Sequence, residues 1–209
     1  GEGGGIFIGS NIANTTINSC KIYSNQCVGS GGGIINHDST IVQNTLIYNN
    51  EAQTDGGGMY VDDVLILRNS TLAYNFIRDG RYGPAIDINT GLDSLLLLNN
   101  IFYHNYSGSH FSDGEGSSDG EGSIYIWNGR LVAYNNYFQV GEESGLIISR
   151  GSGNIFSDTS PLNSETSASD DYSLKNTSST IGAGVSSATL NGITYSAPTS
   201  DYTGSARPQ

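Results

Sequence analysis

The chain has 209 residues, enough for one domain with a sizeable interior, and carries a net charge of −12 with 13% charged residues and 29 glycines. The acidic balance excludes nucleic acid and an anionic membrane surface as partners, because phosphate binding needs a basic footprint. No run of residues approaches the roughly 18 apolar positions of a membrane span, so no membrane insertion is expected in this segment.

The chain opens at Gly1 in GEGGGIFIGS, which reads as the middle of a repeating unit and predicts an excised part of a longer protein. The unit then recurs. Glycine-rich turns stand at GGGIFI (3–8), GGGIIN (31–36), GGGMYV (56–61) and, diverged, GPAIDI (83–88). Each leads into a first strand whose alternation turns Ile34, Met59, Ile86 and Ile124 inward, with Val61, Ile88 and Ile126 two places on. A second strand follows, with Thr15, Thr40, Leu65, Leu95 and Leu131, then Ile17, Val42, Leu67, Leu97 and Ala133, as its inward columns. A third strand carries Ile22, Ile47, Leu72, Phe102 and Phe138.

Asparagines keep the register. Asn25, Asn50, Asn75 and Asn105 follow the third strand at spacings of 25, 25 and 30, and Ser19, Asn44, Asn69 and Asn99 lie six residues before them. Self-similarity at this period is the mark of a stacked solenoid. Three short strands per coil and about five to six coils, stacked at about 4.8 Å, place like residues on like residues. The asparagine columns then read as side-chain ladders, the alternative being a plain preference for turns.

From Ile86 to Ile124 is 38 residues, too long for one coil, and SDGEGS occurs twice in succession at 112–123. Removing those 12 restores the period, so 112–123 reads as an inserted acidic, glycine-rich loop. Its Asp113, Glu115, Asp119 and Glu121 are the chain's candidate for Ca²⁺, but the spacing does not match a calcium loop, and a solvated loop is the reading taken. Beyond residue 156 the pattern becomes Ser/Thr-rich and irregular; 157–209 is expected to cap the last coil of the 1–156 solenoid, with a linker as the alternative. Cys20 and Cys27 fall in small-residue columns and read as buried free thiols, or as a disulfide within one coil.

The coil pattern resembles right-handed parallel β-helix proteins of the pectate-lyase-like superfamily. The ending is similar to the tail of choice-of-anchor Q type domains, through NIFSDTSPL (154–162), DDYSLK (170–175), SSTIGAGV (178–185) and TSDYTGSARPQ (199–209). The resemblance implies an all-β, right-handed parallel β-helix and an extracellular or cell-surface setting, in bacteria, within a larger exported protein. It implies no activity, because this fold carries lyases, hydrolases, adhesins and stalks.

Three uses compete. For an enzyme, a lyase or hydrolase of polysaccharide, the acids are Asp38, Asp62, Asp63, Asp87 and Asp93, with His37, Arg68 and Arg81 nearby; Asp62 and Asp87 are the best pair. The glycine-flanked histidine and Arg-x-Lys motifs of polygalacturonases are missing, and no catalytic residue is nominated. For a carbohydrate or partner face, the outward columns of the first strand read Phe7, Ile35, Tyr60, Asp87, Tyr125 and His37, Asp62, Asn89, Trp127. Tyr60, Asp62, Asp87, Tyr125 and Trp127 are the nominated contacts, since flat aromatic faces beside carboxylates stack on sugar rings and bond hydroxyls, with plain cross-strand stacking as the alternative. Tyr23, Tyr48 and Tyr103 form a second outward column, read as stacking alone. For a structural or adhesive surface protein, which is the reading taken, partners are other copies stacked head to tail into a filament, adjoining parts of a longer chain, or surface polysaccharide. No cofactor and no metal is assigned.

Overall fold

A computed structural model of the chain describes residues 1–12, 15–79, 82–89, 95–108, 123–126, 131–140, 148–163, 171–201 and 203–207. The fold is a right-handed parallel β-helix. Its first sheet stacks Ile6–Ile8, Ile34–Asn36, Met59–Val61, Ile86–Ile88 and Ile124–Ile126 in parallel. The second stacks Thr15–Asn18, Thr40–Gln43, Leu65–Arg68, Leu95–Leu98, Leu131–Tyr134 and Ile148–Ser152. The third stacks Lys21–Tyr23, Leu46–Tyr48, Thr71–Ala73, Ile101–Tyr103, Tyr137–Phe138 and Ile155–Phe156. To this three-strand coil the structure adds a fourth ladder of two-residue strands, Gln26–Cys27, Glu51–Ala52, Phe76–Ile77 and Tyr106–Ser107. Among the described residues no helix is long and apolar enough to cross a membrane.

Register follows the columns. Met59 pairs with Ile86 and Ile86 with Ile124, so the long interval between the last two is passed without a slip in the ladder. Inside the coils Ile34, Met59 and Ile86, Val42, Leu67 and Leu97, and Ile47, Leu72, Phe102 and Phe138 form one continuous core. Each such side chain contributes roughly 1.5–3 kcal/mol by leaving water. Phe102 and Phe138 stack at 5.0 Å with nearly parallel rings. Cys20 and Cys27 are free, and both are half-buried rather than buried.

The asparagine columns do two different jobs. Asn25 Nδ2 donates to Asn50 Oδ1 at 2.9 Å, Asn50 Nδ2 to Asn75 Oδ1 at 3.0 Å, and Asn75 Nδ2 to Asn105 Oδ1 at 2.9 Å. Asn50 Nδ2 and Asn75 Nδ2 also donate to Ile22 O and Ile47 O, while the Oδ1 of Asn50, Asn75 and Asn105 each accepts the backbone N–H of the preceding asparagine. Two donations and two acceptances saturate each buried amide, which is what makes its burial affordable. Asn44, Asn69 and Asn99 stand instead at φ of 50°, 51° and 56°, the left-handed corner between the second and third strands that asparagine tolerates. From coil to coil their amides come no closer than 3.4–3.5 Å, and Asn99 instead bonds the tail, its Nδ2 donating to Val185 O at 2.8 Å and its Oδ1 accepting from Val185 N at 2.9 Å. The interior ladder at this corner lies one residue later, where Thr45 N donates to Ser70 Oγ, Ser70 N to Asn100 Oδ1, and Asn100 Nδ2 to Asn136 Oδ1 at 3.0 Å.

The segment after residue 156, expected as a cap on the last coil, is laid along the flank. Leu162 and Tyr172 pack on Leu46, Tyr48, Ala73, Tyr103 and Tyr137 of the third sheet's outer face. An antiparallel hairpin, Ser187–Leu190 with Ile193–Ser196, lays Ala188 and Leu190 on Ile66, Leu96, Leu98 and Val132 of the second. Arg207 Nη2 reaches back to Asn44 Oδ1 at 3.3 Å. The reason is apolar area: these two sheets carry hydrophobic side chains on both faces, and the tail is what covers the outer ones. Tyr48 and Tyr103, read as an outward column, are therefore buried, while Tyr23 stays exposed and stacks on Tyr48 at 5.0 Å.

Candidate functional site

The first sheet differs from its neighbours. Along its outer face Phe7, Ile35, Tyr60, Asp87 and Tyr125 are consecutive cross-strand partners. Ile35 is buried and Phe7 exposed. At Tyr60, Asp87 and Tyr125 the face opens into a cleft of about 160 Å³, lined by Asp55, Tyr60, Tyr82, Asp87, Asn89 and Tyr125. None of these lining residues belongs to the tail.

Local backbone explains how each side chain arrives. Tyr60, Asp87 and Tyr125 are the central residues of three-residue strands and point away from the core by alternation. Asp55 and Tyr82 each precede a left-handed glycine, Gly56 at φ 62° and Gly83 at φ 59°, which turns the chain into the strand. The turn brings their side chains back over the face they would otherwise leave. Gly57 behind that corner has no room for a side chain, since a Cβ there would lie 2.6 Å from Phe76 O and 2.7 Å from Pro84 O.

Tyr82 and Tyr125 stack with ring centroids 4.2 Å apart and planes 29° from parallel. Asn89 Nδ2 donates to Tyr60 Oη at 2.9 Å. Burial first, then the charge of Asp62, pushes the Tyr60 hydroxyl up to about 12. Asp87 is 5% exposed, and burial, followed by the charges of Asp55 and Asp62, pushes its carboxyl up to about 8. Burial also raises Asp55. At the cleft's edge His37 Nδ1 and Asp62 Oδ2 lie 2.5 Å apart, and Phe7 meets the His37 ring edge-on at 5.5 Å.

Of the residues nominated from the sequence, Tyr60, Asp62, Asp87 and Tyr125 come together here. Trp127, Asp93, Arg81 and the 112–122 part of the acidic insertion lie outside the described residues. Asp38 and Asp63 serve their own turns, accepting from Ser39 N and Val64 N at 2.7 Å. Arg68 stands on the second sheet, bonding Gln43 Oε1 at 2.8 Å and Ser196 O of the tail at 2.5 Å, and takes no part in the cleft. Asp55 and Tyr82 were not anticipated. The signal was the residue before each glycine turn, in TDGGG and RYGPA, a column passed over by starting the coil at its glycines. Among the described residues no group of three or more His, Cys, Asp or Glu side chains is arranged to hold a metal ion.

The fold and this cleft together define a parallel β-solenoid with a tyrosine-walled, acid-floored groove on one sheet. No protein-family profile, curated protein or solved structure matches the chain.

Proposed function

We propose that the chain is a non-enzymatic adhesive solenoid of the bacterial cell surface that holds polysaccharide against the outer face of its first sheet. The observation behind it is the convergence of Tyr60, Tyr82 and Tyr125 with Asp87 and Asn89 in one cleft. Apolar walls with a few convergent polar groups are the usual make-up of a small-ligand site, and tyrosine faces suit the C–H faces of a pyranose. At about 160 Å³ the cleft is below the roughly 300–1,000 Å³ of drug-sized pockets, so it suits one ring of a longer glycan. The surface setting rests on the resemblance to pectate-lyase-like solenoids with a choice-of-anchor Q ending, and on a low charge density with an acidic excess. Screening the chain against a glycan array, beside Tyr60→Ala and Tyr125→Ala, tests this. The proposal expects a set of glycans retained by the native chain and lost by both variants; retention by the variants rejects it.

Hydrolysis of the same glycan is the second reading, favoured by one observation. A carboxyl pushed up to about 8, with Asp62 close by, has the protonation a general acid requires. Release of reducing ends from the array's best binder, abolished in Asp87→Asn, would replace the adhesive reading with this one.

A further inference from the structure

Resting on the glycan reading, we propose that the cleft selects an amino sugar, a glucosamine-type unit whose protonated amine lies against Asp87 while its ring lies against the tyrosines. Three observations carry this. First, Asp87 is a buried carboxylate aimed into the cleft, and among the described residues no hydrogen-bond donor reaches it. Buried charges are normally paired, and a lone carboxylate escapes the cost by keeping a proton. Second, among the described residues the groups facing it are Asp55, Tyr60, Asp62, Tyr82, Asn89 and Tyr125, with no lysine or arginine. A further anion such as a uronate would add like charge to this set. A neutral sugar would offer hydroxyls but give Asp87 no reason to release its proton. An ammonium does, because a cation beside the carboxyl favours its ionised form, and the tyrosine faces attract the same cation. Third, the chain as a whole carries −12, so its field draws cationic polymers toward the groove and repels acidic ones.

The occupant is thus a partly or fully deacetylated amino-sugar polymer rather than an acidic one. A lysine side chain shares the ammonium but has no ring to fill the space beside the Tyr82–Tyr125 stack.

Isothermal titration of the full chain with four tetramers tests the assignment: glucosamine, N-acetylglucosamine, galacturonate and lysine. Asp87→Asn is isosteric and removes the group that can ionise against an amine; Asp158→Asn removes a charge from an exposed position outside the cleft. The expected result is glucosamine bound at least about tenfold more tightly than its acetylated form, with that margin lost in Asp87→Asn and kept in Asp158→Asn. Equal affinity for the acetylated tetramer overturns the amine inference and leaves the glycan reading standing. Lysine tetramer bound as tightly, with the same Asp87 dependence, overturns the sugar assignment. Equal weakening by both variants reduces the effect to net charge and overturns the site. Binding of none of the sugars overturns this inference together with the glycan reading.

Discussion

Asp87 lies directly opposite Tyr60 in the first sheet, one coil away and 27 residues on, and its charge is among the causes that raise the Tyr60 hydroxyl to about 12. The solenoid period makes neighbours of two residues far apart in sequence, and the outer face of the sheet collects what the columns deliver. Asp87 is the buried acid of that face.

Its titration has a definite sign. In the unfolded chain the carboxyl has an ordinary value near 4, and in the folded chain it is pushed up to about 8. Between those values the folded state holds a proton that the unfolded state has released. Asp87 therefore contributes fully below about pH 4, and stability falls as pH rises toward 8, by at most on the order of 5 kcal/mol. Asp87→Asn removes that dependence. Urea denaturation of both proteins at pH 5 and pH 8 should show the variant gaining on the native chain as pH rises.

The two asparagine columns should respond differently. Asn75→Ala leaves Asn50 Nδ2 and the Asn50 N–H without their acceptor, and takes the Nδ2 donor from Asn105 Oδ1 and Ile47 O. Buried groups stranded in this way cost about 1–3 kcal/mol each, so a loss of roughly 3 kcal/mol or more is expected. Asn69 stands at φ 51°, so Asn69→Ala should cost roughly 1–2 kcal/mol from backbone strain and Asn69→Gly almost nothing. Equilibrium unfolding of the three variants should rank them in that order.

Tyr172 fastens the tail. Its ring packs 4.4 Å from Tyr48, within the cluster that holds Leu162 against the third sheet. Tyr172→Ala should cost about 3 kcal/mol and act locally, because truncating a buried aromatic leaves a cavity. Limited proteolysis should cut between residues 157 and 186 in the variant well before it cuts the coils, while the native chain is nicked far more slowly there.

Much of the fold was legible because one residue type recurs at one place. The columns headed by Ile34, Val42 and Ile47 set the interior, and the pairing of Ile86 with Ile124 follows once the doubled SDGEGS is set aside. What the period could not give was the covering of the outer faces. Four consecutive leucines, Leu95–Leu98, carry that signal, since a strand buried on both sides has no polar alternation. Reading only Leu95 and Leu97 left Leu96 and Leu98 without an explanation, and with them the place of the tail. The asparagine columns show a similar limit. Asn44 and Asn75 look alike in a repeat table, but backbone φ separates a corner residue from a ladder residue, and φ is not written in the spacing. In the cleft, Tyr60 and Asp87 were legible by alternation, whereas Asp55 and Tyr82 arrive through glycine corners that alternation does not describe.

The central claim is that the first sheet's outer face is where glycan is held. Amide chemical-shift mapping of the isotope-labelled chain, titrated with the glucosamine tetramer, tests it most directly. The account predicts saturable shifts concentrated at residues 55–62, 82–89 and 124–126, with the tail and the fourth ladder unmoved. Shifts centred on the tail or the fourth ladder, or none up to saturating ligand, would contradict it.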